Sequence, residues 1–247
     1  MKKLVALFVI TAAFLSFNSN TFSQPQFTIH LTGGYNLPLP DLKGDLTDSA
    51  DITNTFGMNL GYGFGADAKY YLGKKRNVGI TLALGYQLFS NSEDTSQYLG
   101  KDIKNKLNAF TVGLGIEYAF MPKGKANPFV GAEFTGHFFS GNYEATVLGT
   151  SQTADLKSAS RFGLGLGAGV DIALSKSIGI VIGGKYHLAN LIGKEELDTA
   201  AISTNEYQLV DKEYTIGNTT IEAKNISYLQ FYAGVSFYLN QPKKMKK

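Results

Sequence analysis

The sequence contains no cysteine and no tryptophan, and only three histidines among its 247 residues. Without cysteine there is no disulfide framework, no thiolate metal site and no lipidated cysteine, so stability must come from burial and backbone pairing. Charge is also scarce: Asp, Glu, Lys and Arg make up 17% of the chain, against roughly 25% in a soluble globular domain. A membrane-spanning helix is missing too. The one strongly apolar run is Leu4 to Phe17, about 14 residues, and a spanning helix needs roughly 20.

That run follows Met1-Lys2-Lys3 and precedes the polar stretch Asn18 to Gln24, which holds the small residue Ser23. A basic, an apolar and a polar region in this order form a secretory signal. Residues 1–23 are therefore read as a leader cleaved after Ser23, 24–240 as the folded body and 241–247 as a basic tail. Removing Lys2 and Lys3 lowers the formal charge from +3 to +1. A near-neutral body has no electrostatic footprint for nucleic acid, and neither a nucleic-acid partner nor a cofactor is expected.

The chain is rich in Gly (28), Phe (17) and Tyr (14), and these residues fall into segments that alternate with period two. In one, Leu229, Phe231, Ala233, Val235, Phe237 and Leu239 share a face opposite Gln230, Tyr232, Gly234, Ser236 and Tyr238. In another, Phe110, Val112, Leu114, Ile116 and Tyr118 oppose Thr111, Gly113, Gly115 and Glu117. Eight strands are predicted, at 26–36, 57–72, 77–89, 106–120, 127–140, 159–174, 177–191 and 226–240. Short basic connections alternate with long polar ones at 37–56, 90–105, 141–158 and 192–225. Within the last, Glu213 to Glu222 reads as a hairpin turning at Gly217-Asn218.

One face of each segment is Leu, Ile, Val, Phe and Tyr, while the other is Gly, Ala, Ser and Thr with single charges. A soluble β-protein would carry many Lys and Glu on its wet face. An apolar exterior around a small polar interior accounts for both faces. Because hydrocarbon leaves no partner for an open edge, such a sheet must close. The expectation is all-β: a closed antiparallel transmembrane barrel of eight strands, up-and-down, with short turns on the periplasmic side and long loops outside.

The leader, the Gly-rich alternating strands and the segment Tyr228 to Asn240 resemble the eight-stranded outer-membrane β-barrel family, especially its short forms in Bacteroidota. The resemblance implies residence in outer-membrane lipid and folding by the barrel-assembly machinery, which reads an aromatic or apolar strand end such as Phe237, Tyr238 and Leu239. Many members also carry a peptidoglycan-binding domain after the barrel. Here Gln241 to Lys247 is all that follows, so that tethering role is not expected.

Strand phase turns Asp67, Lys69, Glu117, Glu133, Arg161, Asp171 and Lys185 inward. Buried carboxylates need cationic partners, so Lys69 and Lys185 are expected to pair with the acids and Arg161 to serve the extracellular rim. His137 and His187 face inward near that rim, and His30 lies nearer the periplasmic end. A metal would need a third ligand at their height, and Glu133 sits a layer lower. Lipid A deacylases of similar architecture carry His-x-Ser on one strand. Here His137-Phe-Phe-Ser140 puts the two on opposite faces, so a membrane-embedded hydrolase is the least favoured reading. The favoured one is a non-enzymatic barrel in surface structure, adhesion or partner binding through loops 141–158 and 192–225. A small-solute or ion channel is the alternative.

Overall fold

The computed structural model describes residues 25–46, 54–94, 101–147, 150–198, 205–216 and 219–239. The leader, the basic tail and the turn Gly217-Asn218 lie outside the described residues. The strands are β1 (Phe27–Pro38), β2 (Leu60–Leu72), β3 (Val78–Asp94), β4 (Lys101–Ala119), β5 (Ala126–Val147), β6 (Thr150–Leu156), β7 (Ala159–Ala173), β8 (Ile178–Ile192), β9 (Glu206–Tyr207), β10 (Tyr214–Ile216), β11 (Thr219–Ile221) and β12 (Ser227–Leu239).

Eight of them form a ring. The ladder runs β4-β3-β2-β1-β12-β8-β7-β5, and β5 pairs with β4 to close it. The first and last strands meet antiparallel from Phe27↔Leu239 to Pro38↔Tyr228. No barrel edge is left open, the only sheet solution in hydrocarbon. Short turns at residues 73–77, 120–125 and 174–177 share one end. Gly73, with φ of 68°, makes the first of these possible.

The apolar phase faces outward. Phe64, Leu82, Leu114, Ile116, Phe134, Leu166, Ile182 and Phe231 are all at least half exposed. The opposite phase is buried, including Thr28, Lys69, Thr111, Glu117, Thr135 and Ser236. Two inward glycines make room for rings. A Cβ on Gly183 would lie 2.5 Å from the Tyr232 hydroxyl, and one on Gly169 would lie 2.7 Å from Phe129 Cζ.

At the long-loop end three strands outrun their apolar pattern. The connections predicted at 90–105 and 141–158 are largely strand: β3 and β4 stay paired to Asp94↔Asp102, and β4 and β5 to Lys101↔Val147. β6 then folds back on β5 from Val147↔Thr150 to Asn142↔Asp155. Backbone pairing in water needs no apolar face, so alternation stops before the ladder does. β10 and β11 pair as the predicted hairpin, Tyr214↔Ile221 to Ile216↔Thr219.

Candidate functional site

Side chains fill the barrel interior in layers. Nearest the short turns, Lys69 pairs with Glu117 and lies 3.8 Å from Asp67 Oδ2. The Lys69 ammonium also sits 4.1 Å from the centre of the Phe129 ring. Tyr71 donates to Glu117 Oε1 at 2.5 Å. Asp171 accepts from Ser236 and Tyr238, each at 2.7 Å.

His30 lies between two of these acids. Its Nδ1 is 3.2 Å from Asp67 Oδ2 and its Nε2 is 3.4 Å from Asp171 Oδ2. A neutral imidazole carries one N–H, whereas a ring protonated on both nitrogens can serve both carboxylates. His30 thus bridges an acid of β2 and an acid of β7.

The middle layer is Lys185 on Glu133, with both carboxylate oxygens at 2.9 Å. Cavities of about 40 and 20 Å³ flank this pair, lined by Asp67, Glu133, Lys185 and Tyr232. Each has room for one or a few waters. Lys185→Met should therefore lower barrel stability in detergent by about 1–3 kcal/mol, the cost of a partly rehydrated orphan. Adding Glu133→Gln should recover part of it. Urea unfolding of both variants checks this, and a silent single variant would mean the layer is fully wet.

Above it come amide, hydroxyl and imidazole groups. Asn36 donates to Gln87 at 2.6 Å, and Gln230 donates to the same oxygen at 3.4 Å. His137 contacts the hydroxyls of Thr111 and Thr135 at 3.0 and 2.9 Å. His187 stacks on Tyr228, with ring centres 4.6 Å apart.

The long-loop mouth is closed by two further groups. The first is an apolar cluster of Leu42, Met58, Phe89, Leu107, Phe139, Leu156, Leu209, Ile226 and Tyr228. The second is an ionic latch between β7 and the connection from β8 to β12. Arg161 donates from Nε to Asp211 Oδ2 at 2.9 Å, and from Nη2 to Asp211 Oδ1 and to the Leu209 carbonyl, each at 3.0 Å. Its Nη2 also lies 3.5 Å from Glu195 Oε2. Asp211 accepts further from Asn190 Nδ2 at 2.8 Å and from the Glu195 amide at 2.9 Å. Both side chains of the Arg161–Asp211 pair are fully buried. Nearby, Lys224 lies 4.9 Å from the centre of the Phe56 ring. Burial pulls its ammonium below the ordinary lysine value, against the opposing pull of Asp211 and Asp41.

The structure thus brings Asp67, Lys69, Glu117 and Asp171 into one layer, Glu133 and Lys185 into the next, and sets Arg161 apart at the mouth with His137 and His187 below it. Sequence patterning does not single out Tyr71, Ser236, Tyr238 or Asp211. The first three share the inward phase of Lys69 and Tyr232, so extending that phase finds them. Asp211 lies in an aperiodic connection and carries no such signal.

The sequence matches the family described as outer membrane protein beta-barrel domain over residues 5–209. No curated protein matches the chain. Among solved structures, Neisserial surface protein A is similar at 14% identity, with a TM-score of 0.45, over 87% of this chain and 97% of that one. OprG from Pseudomonas aeruginosa is similar at 12% identity, with a TM-score of 0.47, over 89% and 100%. The attachment invasion locus protein Ail of Yersinia pestis, solved with the heparin analogue sucrose octasulfate, is similar at 14% identity, with a TM-score of 0.41, over 86% and 99%.

Proposed function

Because the chain belongs to the outer membrane protein beta-barrel domain family, we propose that it is a closed, non-enzymatic surface scaffold that binds a partner through its extracellular end. Family membership goes with outer-membrane residence, and the outward apolar band fits lipid. What carries the reading is the sealed mouth: fully buried Arg161 and Asp211 lie with an apolar cluster across the lumen. A conducting pore needs a continuous wet path, and here the layers below the latch are ion-paired as well.

The surface beyond the mouth is ordered by backbone pairing. β3, β4, β5 and β6 continue as a sheet above the barrel. Rigid scaffolds of this kind commonly carry binding on their outer segments. The partner surface is assigned to this sheet and to the connection from β8 to β12.

A small-solute channel is the second reading, and the polar cavities beside Lys185 are what favour it. Planar bilayers separate the two. The purified, refolded protein should give no discrete conductance steps at neutral pH. Reproducible unitary steps would overturn the closed scaffold and promote the channel.

A further inference from the structure

Outside the latch, a concavity of about 430 Å³ opens to the exterior between the β6–β7 connection and the connection from β8 to β12. That volume lies within the roughly 300–1,000 Å³ of small-molecule pockets. Its floor is Ala159 and Leu209, both buried. Its rim carries Lys157, Lys194 and Lys212 against Glu195, Glu196 and Asp198.

The walls are tied to one another. The Lys157 amide donates to the Tyr207 carbonyl at 2.9 Å, and the Lys212 amide to the Glu195 carbonyl at 3.1 Å. Gln208 accepts from the Asp198 amide at 3.0 Å and donates to the Asp198 carbonyl at 2.8 Å. The Glu195 amide is held by the buried Asp211 carboxylate at 2.9 Å. A cavity held by this many cross-links is preformed, and a ligand does not have to order it.

The charges are not used up internally. Lys194 is engaged by the Lys224 carbonyl and the Asn225 side chain at 2.8 and 2.9 Å. Lys212 and Glu196 meet at 3.7 Å while both stay more than half exposed. Lys157 makes no ion pair among the described residues. The Glu195 side chain is 68% exposed, and its carboxylate lies 3.5 Å from Arg161. The pocket therefore offers Lys157 and Glu195 as charges open to a ligand, while Lys212 and Glu196 lie side by side and Lys194 is engaged.

We propose that this pocket binds a small zwitterion of short-peptide size, its carboxylate taken by Lys157 on one wall and its ammonium by the exposed Glu195 on the other. This deepens the surface-scaffold reading and rests on it.

The test is an amide NMR titration of the refolded barrel in micelles with triglycine at millimolar concentrations. Saturable shifts are expected at Lys157, Ser158, Glu195, Gln208 and Lys212. N-acetylation or C-amidation of triglycine should each weaken binding by about tenfold, as should Lys157→Gln, whose side chain is outside the barrel and the latch. Absence of saturable shifts, or equal binding of triglycine with both ends blocked, overturns the proposal. Equal shifts with glucose would also overturn it, because recognition would then not depend on charge. The outcome is independent of conductance: a barrel that stays silent in bilayers yet ignores triglycine keeps the scaffold and loses only the pocket.

Discussion

Arg161→Met should release the connection between β8 and β12 from the barrel mouth. The substitution keeps the apolar stem but leaves Asp211, fully buried, with Asn190 and the Glu195 amide as the hydrogen-bond donors to its side chain among the described residues. Removing one member of a buried ion pair costs about 3–5 kcal/mol. Because the latch lies at the water-exposed end, the strained segment can escape to solvent, so the cost falls on loop docking more than on the strand ladder. At 1.4 kcal/mol per tenfold, the open population rises by roughly two orders of magnitude or more. Limited trypsin cleavage after Lys194, Lys212 and Lys224 should accelerate accordingly, while the urea midpoint of the barrel should change much less. Adding Asp211→Asn should slow cleavage again, since an amide is cheaper to bury than an orphaned carboxylate. Unchanged cleavage in the single variant would mean that the apolar cluster alone holds the cap.

Lys69→Met should have the largest effect on the barrel itself. Lys69 and Glu117 are each 4% exposed, deep in the layer nearest the short turns, where no loop can move aside. Without the ammonium, Glu117 keeps the Tyr71 hydroxyl as its hydrogen-bond donor among the described residues, and Asp67 keeps the contact with His30. The expected loss is again about 3–5 kcal/mol, read as a lower urea midpoint at unchanged slope. Glu117→Gln in the same chain should restore part of it. A Lys69→Met barrel as stable as the parent would show that water reaches this layer.

The barrel was legible in the sequence because a single rule, period two with one apolar face, governs every residue that touches lipid. Ile116 outside and Glu117 inside follow from that rule alone. So does the inward phase of Lys69 and Lys185, although phase does not choose among Asp67, Glu117 and Glu133 as their partners. The rule lapses above the membrane. There Phe138 faces outward and Phe139 packs into the cap, so neighbouring aromatic residues report two environments. Leu42, Met58, Leu209 and Ile226 meet from separate connections, and no local spacing announces such a meeting. Asp211 is silent for the same reason: its partner lies on β7, 50 residues away. The polar sequences at 101–105 and 141–147 read as loop because these strand ends are held by backbone pairing and carry no sustained apolar alternation.

The polar interior also determines the cross-section of the barrel. A ring of eight strands joined only to their neighbours can flatten towards an ellipse with little loss of ladder bonds, because each junction acts as a hinge. The interior contacts are chords across that ring. Lys69 on β2 reaches past β3 to Glu117 on β4, and Lys185 on β8 reaches past β7 to Glu133 on β5. His30 on β1 reaches past β12 and β8 to Asp171 on β7, and Gln230 on β12 reaches past β1 and β2 to Gln87 on β3. Set in three layers and running in different directions, they brace the hoop as spokes brace a wheel. Lateral pressure from the bilayer is then borne in part by these polar pairs, which brace a lumen where inward glycines leave out side-chain bulk.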